Sequence, residues 1–277
     1  MNVKKWIVGA LTLVTVAGLA AGCGDTKKEE KKAAAPKEKT KIVVGTTPGF
    51  SEQIMEEVKK EAAKKGLEIE IKTFSDYVTP NTALAQKDID VNSFQHEPFL
   101  IAYNKKSGTK LVSIGKTFLA PLRLYSSKIK DIKELKDGDT VAIPNDPSNG
   151  GRAILMLSKL GLLKVKTDVK PTELTVGDIT ENPKHLKIVE LEAPQLPRSL
   201  DDTAASVINA DYAKSAGLPL DKVIGKEDNT SPYVNIIAAR PEDKDNPTYK
   251  KLVDIYHTQP IKDFILKNAK GALEPAW

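Results

Sequence analysis

Three groups of residues carry the chemistry that this sequence can offer. Phe94, His96 and Phe99 stand in Phe-Gln-His-Glu-Pro-Phe, where an extended stretch gives way to a helical one. Side chains two apart on extended backbone face the same way, so Phe94 and His96 share a face, and Tyr77 can join them in an aromatic wall. The same residues also fit an aromatic core cluster around a hydrogen-bonded histidine. Aromatics make up only 5% of the chain, so their grouping here favours a site. Arg152 closes Asn149-Gly-Gly-Arg at the predicted start of a helix. A helix start offers free N–H groups and partial positive charge, glycines allow close approach to the backbone, and a guanidinium matches a carboxylate with a planar fork. Together they make a seat for a small carboxylate, with a surface arginine at a helix start as the alternative. Asn209 and Asn235 follow the apolar runs Val-Ile and Tyr-Val. Asn is poor in strands. Its carbonyl can accept from an ammonium while its amide donates to a carboxylate, unless each is a turn-forming cap.

Other chemistries lack their residues. No second His or Cys stands at ligand spacing from His96, which speaks against a metal site. Cys23 is the only cysteine, so there is no internal disulfide and no other thiol for catalysis. No Gly-x-Ser-x-Gly, phosphate loop or His-rich motif occurs, and no cofactor is expected. The net charge of +5 spreads over 42 basic and 37 acidic residues, a mixed surface and not a nucleic-acid footprint.

The elements that must hold these residues begin after a processed start. Lys4 and Lys5, an apolar run from Trp6 to Ala21, and small residues before Cys23 make a secretory leader over residues 1–22. The run is shorter than the roughly 20 apolar residues of a spanning helix. Its junction resembles a bacterial lipobox, in which Cys23 becomes the lipidated first residue. Ala20 stands where Leu is usual, and an ordinary leader with an incidental cysteine is the alternative. Residues 23–40 are rich in Lys, Glu and Ala and read as lipid anchor and flexible tether.

From Lys41 the pattern alternates. Strands are predicted at 41–45, 67–74, 91–94 and 110–114, with helices from Ser51, over 81–86 and over 98–106. A second run of the same grammar has a short helix at 131–135, a strand at 140–143, a helix over 149–160, and strands at 187–191, 205–208 and 233–239. The stretch 247–267 is helical with a break near Pro260. The pattern is two α/β units, and the length allows one large domain or two ordinary lobes.

Five segments in order then resemble the NlpA/MetQ family of methionine-binding lipoproteins. They are Phe94-Gln-His-Glu-Pro-Phe-Leu, Ile143-Pro-Asn-Asp-Pro-Ser-Asn-Gly-Gly-Arg, Glu192-Ala-Pro-Gln-Leu-Pro-Arg-Ser-Leu-Asp-Asp, Val207-Ile-Asn-Ala-Asp-Tyr-Ala and Ser231-Pro-Tyr-Val-Asn. The resemblance implies a type II periplasmic-binding-protein fold, with two α/β lobes joined by a two-strand hinge. Lobe one would be 41–118 plus 235–277 and lobe two 119–234. It implies a binding protein without catalysis, loaded with methionine (L-methionine favoured) and serving an ABC importer permease. It would work as a monomer on the extracytoplasmic face of the cell membrane, held by a lipid on Cys23. Tyr77, Phe94 and His96 would sheath the thioether, Arg152 would hold the carboxylate, and Asn209 and Asn235 would hold the amino-acid headgroup. Phe99 replaces the family's usual Tyr. D-methionine or a methionine-containing dipeptide is the alternative ligand, and an enzyme on the same bilobed fold is the alternative class.

Overall fold

The predicted alternation condenses into two main sheets joined by short crossings. The computed structural model describes residues 39–228 and 232–277, so the leader, Cys23 and nearly all of the tether lie outside the described residues. In chain order the first stretch runs β1 (Lys41–Thr46), α1 (Phe50–Lys64), β2 (Glu68–Thr73), α2 (Thr79–Ala85), β3 (Val91–His96), α3 (Glu97–Ser107) and β4 (Val112–Leu119). The middle stretch holds β5 (Arg123–Tyr125), β6 (Thr140–Pro144), α4 (Pro147–Lys159), β7 (Lys164–Val165), β8 (Ile179–Glu181), β9 (Lys187–Leu191), α5 (Leu196–Ser199), β10 (Ala205–Ile208), α6 (Ala210–Ser215) and β11 (Val223–Lys226). The last stretch is β12 (Val234–Ala239), α7 (Pro247–Tyr256), α8 (Gln259–Ala269) and β13 (Glu274–Pro275).

The first sheet has the order β13-β4-β12-β3-β1-β2, and the second β11-β5-β10-β6-β9. Their centres are parallel, β2 and β3 flanking β1, and β9 and β10 flanking β6. Parallel strands need crossover helices, which cover both faces and bury the strands outright. All of β3 and all of β10 are accordingly buried. Ile42, Val44 and Ile237 pack under α1, α7 and α8, whereas Leu84, Leu100 and Ile236 fill the opposite face of that sheet. Val141, Ile143 and Val207 pack against Ile154 and Leu157 of α4 in the second sheet. The chain leaves the first sheet after Leu119, enters the second at Arg123, and returns between Lys226 and Val234.

Several expected bounds shift, each for a tertiary reason. β4 runs on to Leu119 because it pairs along β12 from Val112 to Leu119. Ser51 does not cap α1. Its hydroxyl and its N–H turn instead to Asp211 of α6, and Gly49 takes the cap position at φ 114°. The short helix expected at 131–135 is a single 3-10 turn, Ile132–Glu134.

Candidate ligand-binding site

His96 ends β3 and caps α3, its Nδ1 accepting the Phe99 N–H at 3.2 Å. An accepting Nδ1 is unprotonated, so Nε2 carries the hydrogen and donates to Asn149 Oδ1 at 3.1 Å. Burial, with the nearby Arg152 charge, pushes the imidazole pKa down to about 3. His96 is therefore neutral at physiological pH.

Asn149 is itself aimed from behind. Asp146 caps α4 by accepting the Asn149 backbone N–H at 2.9 Å, and both its oxygens accept from Asn149 Nδ2 at 3.1 and 3.0 Å. The amide can then only present Oδ1 forward, where it receives His96 and also Asn209 Nδ2 at 3.1 Å. Asn209 is thus turned with its own Oδ1 outward, and that buried atom has no partner among the described residues. An unpartnered buried acceptor costs about 1–3 kcal/mol and asks for a donor.

Arg152 departs from the expected seat in one respect. The helix begins at Pro147, before Arg152, and its free N–H groups are already served by Asp146. The two glycines do not open the backbone to a ligand either. A side chain on Gly150 would meet Pro144 O at 2.9 Å, and one on Gly151 would meet Pro171 O and Leu174 O at 2.8 and 2.9 Å. They admit the chain's own backbone. Only the guanidinium is left for an anion. Its Nε donates to Glu227 Oε1 and Oε2 at 3.0 and 3.1 Å, and Nη2 donates to Glu227 Oε2 at 2.5 Å and Ala120 O at 2.9 Å. Arg152 also lies over the Tyr233 ring, 4.4 Å from its centroid. Nη1 is the edge these contacts leave.

Asn235 lies inside β12, within the strand predicted at 233–239, and stands opposite His96. Its Nδ2 donates to Phe94 O at 3.4 Å.

The rings gather as expected. Tyr77 stacks on Phe94 with centroids 5.8 Å apart, and Phe99 meets both edge-on at 5.8 and 6.1 Å. Tyr212 of α6 approaches Tyr77 at 4.9 Å and donates its hydroxyl to Ser75 O at 3.0 Å. One cavity is lined by Tyr77, Phe94, His96, Arg152, Asn209 and Asn235, together with Gln95, Phe99, Phe118, Asn149 and Asp211. Every predicted ligand residue faces this one space. Its walls come from helices and strands of both sheets, tied directly through His96–Asn149, Tyr212–Ser75 and Ser51–Asp211.

The profile of the NlpA lipoprotein family matches residues 42–277. The chain belongs to the NlpA lipoprotein family. A protein of Salmonella typhi named "D-methionine-binding lipoprotein MetQ" is 47% identical over 277 residues, covering 98% of this chain and 95% of that protein. A nutrient-binding protein from Burkholderia cenocepacia, solved bound to methionine, superposes with a TM-score of 0.83 at 46% identity, over 85% of this chain and all of that one. The methionine-binding protein MetQ superposes at 0.84 with 48% identity, over 86% of this chain and 98% of that one. The NlpA chain therefore has the expected fold, two α/β lobes of the type II periplasmic-binding kind.

In this NlpA chain the sequence reasoning passed over several residues that build the cavity. Gln95 is buried between Phe94 and His96 and bonds Asn81 and Asn92, whose amides lock one another behind β3. Asp211 is buried and receives Ser51 N–H, Ser51 Oγ and Thr47 Oγ1. Burial pushes its carboxyl up to about 6. Apolar alternation gave no signal for these polar positions. The Ala193-Pro-Gln-Leu-Pro-Arg198 segment lines a neighbouring cavity through Ala193 and Pro194, and Gln195 is exposed away from the site.

Proposed function

We propose that this chain is an extracytoplasmic substrate-binding lipoprotein that captures methionine in the interlobe cavity and delivers it to an ABC importer. The observation that carries the reading is the buried, unpartnered Oδ1 of Asn209, set in a cavity that has a guanidinium edge and a ring-lined wall. An α-amino acid has the matching ends. Its ammonium donates to Asn209 Oδ1 and its carboxylate meets Arg152 Nη1, with Asn235 beside the headgroup. Its side chain lies among Tyr77, Phe94, Phe99 and the neutral face of His96. Burying a methionine-sized side chain contributes about 1.5–3 kcal/mol, and sulfur–aromatic contact adds about 0.3–1.5 kcal/mol.

Lobe one is taken as 41–118 plus 235–277 and lobe two as 119–234, anchored to the membrane through a lipid on Cys23. Ligand then stabilises the arrangement in which Asn149 and Asn209 of lobe two meet His96 of lobe one. Only differential affinity for that arrangement drives the closure. No chemistry is assigned. Relatives such as that of Salmonella typhi are named as binding proteins, and no serine, cysteine or lysine among the described residues lines the cavity.

Titration calorimetry of the delipidated protein tests the reading with L-methionine, D-methionine, a methionyl dipeptide and norleucine. L-methionine is expected to bind most tightly, with norleucine weaker for want of sulfur. The names of the relatives favour D-methionine as the second ligand. Inversion at Cα exchanges ammonium and side chain, so the two stereoisomers cannot both seat Asn209 and the rings in the same pose. An absence of heat with every arm would sink the proposal.

A further inference from the structure

Arg123 opens β5 and is 5% exposed. Its Nη1 donates to Pro121 O at 3.2 Å, and its Nη2 to Gly271 O and Ala272 O at 3.2 and 3.1 Å, just past the end of α8. These carbonyls satisfy three of the five N–H groups of a guanidinium. Carbonyl dipoles do not neutralise a unit charge, and a buried cation without an anion is costly. No carboxylate among the described residues pairs with it.

The same guanidinium faces a second cavity, separate from the proposed methionine site except that Ala210 borders both. Its other cations are Lys214, held 5.3 Å over the Phe50 ring, and Lys270 at the cap of α8. Among the described residues neither lysine has an ion pair and no acidic side chain lines the cavity. Apart from Asn268 the rest of the wall is largely apolar, with Phe50, Tyr125 and Leu220, and Leu220 is 44% exposed at it. Three like charges around one largely apolar cavity describe a receptor for an anion with an oily body.

We infer that this cavity is a second binding site, for a small monocarboxylate with a short apolar tail, its anionic end held by Arg123, Lys214 and Lys270. Calorimetry with hexanoate tests it at low ionic strength, with hexanamide and inorganic phosphate as comparators, alongside amide shifts of Tyr125, Ala213 and Ala272 by nuclear magnetic resonance. Hexanoate is expected to bind saturably at millimolar concentration or below and to shift those amides, while hexanamide does not bind and phosphate binds more weakly. Lys214→Gln is expected to weaken hexanoate about tenfold, the scale of one charge-assisted contact, with methionine binding unchanged as proof of an intact fold. Arg123→Lys, which keeps the charge but loses the fork, is expected to weaken it too. No saturable binding overturns the inference. So do equal affinities for hexanoate and phosphate, or a Lys214→Gln variant that binds hexanoate like the parent.

Discussion

Removing the guanidinium in Arg152→Ala acts twice, and the two effects separate. The first is on folding. Glu227 is 8% exposed, and its carboxylate receives three of the contacts made by Arg152. Deleting one partner of a buried ion pair costs about 3–5 kcal/mol. For a chain of this size that lowers Tm by roughly 6–20 °C. The second effect is on ligand. A charge-assisted bond to the methionine carboxylate is worth about 1.5–3 kcal/mol, a loss of roughly 10- to 150-fold in Kd. Glu227→Gln added to Arg152→Ala removes the stranded charge while keeping an oxygen for the Leu122 N–H. The double variant is therefore expected to regain most of the lost Tm, by circular dichroism, yet none of the lost affinity, by calorimetry. If it binds L-methionine as tightly as the parent, Arg152 holds Glu227 only, and the carboxylate assignment is wrong.

Two further outcomes follow from the same geometry. His96 has its pKa depressed to about 3, so its stabilising effect is complete above the unfolded value of 6.5 and fades as pH falls toward 3. Between pH 7 and pH 5 this amounts to roughly 2 kcal/mol, which His96→Gln should remove from thermal melts. Asp211, raised to about 6, acts with the opposite sign between 3.8 and 6 but is common to both proteins and cancels. Parallel pH profiles for parent and variant would contradict the neutral, buried histidine. Gly49→Ala places a methyl 2.3 Å from Asp211 O at a φ of 114°, so α6 and the start of α1 must part. Methionine affinity should drop about tenfold or more, with stability lowered by about 1–3 kcal/mol. An unchanged Kd would show that this contact does not hold Asn209 in place.

The sequence disclosed what repeats locally and hid what depends on distant partners. The strands at 187–191 and 205–208 lie on the predicted residues, since short apolar runs between turn formers read the same in any context. β4 outran its prediction because its length is set by β12, far along the chain. The cavity-lining residues were legible through residue type together with family-like strings. Their supports were not. Asn209 meets Asn149 across 60 positions and Arg152 meets Glu227 across 75. Glu227 sits in Gly-Lys-Glu-Asp-Asn, which reads as solvent loop. The one available signal was that an arginine inside a cavity needs a carboxylate near it.

The two connecting segments are laced together at that same carboxylate. Glu227 N–H donates to Leu122 O at 2.9 Å, Leu122 N–H returns to Glu227 Oε2 at 3.1 Å, and Arg152 reaches Ala120 O at 2.9 Å. The cavity's guanidinium and the two crossings between the sheets therefore share one knot. Any force that parts these two straps also draws Glu227 away from the Arg152 fork it aims, so loosening the crossing and disarming the guanidinium become a single stroke.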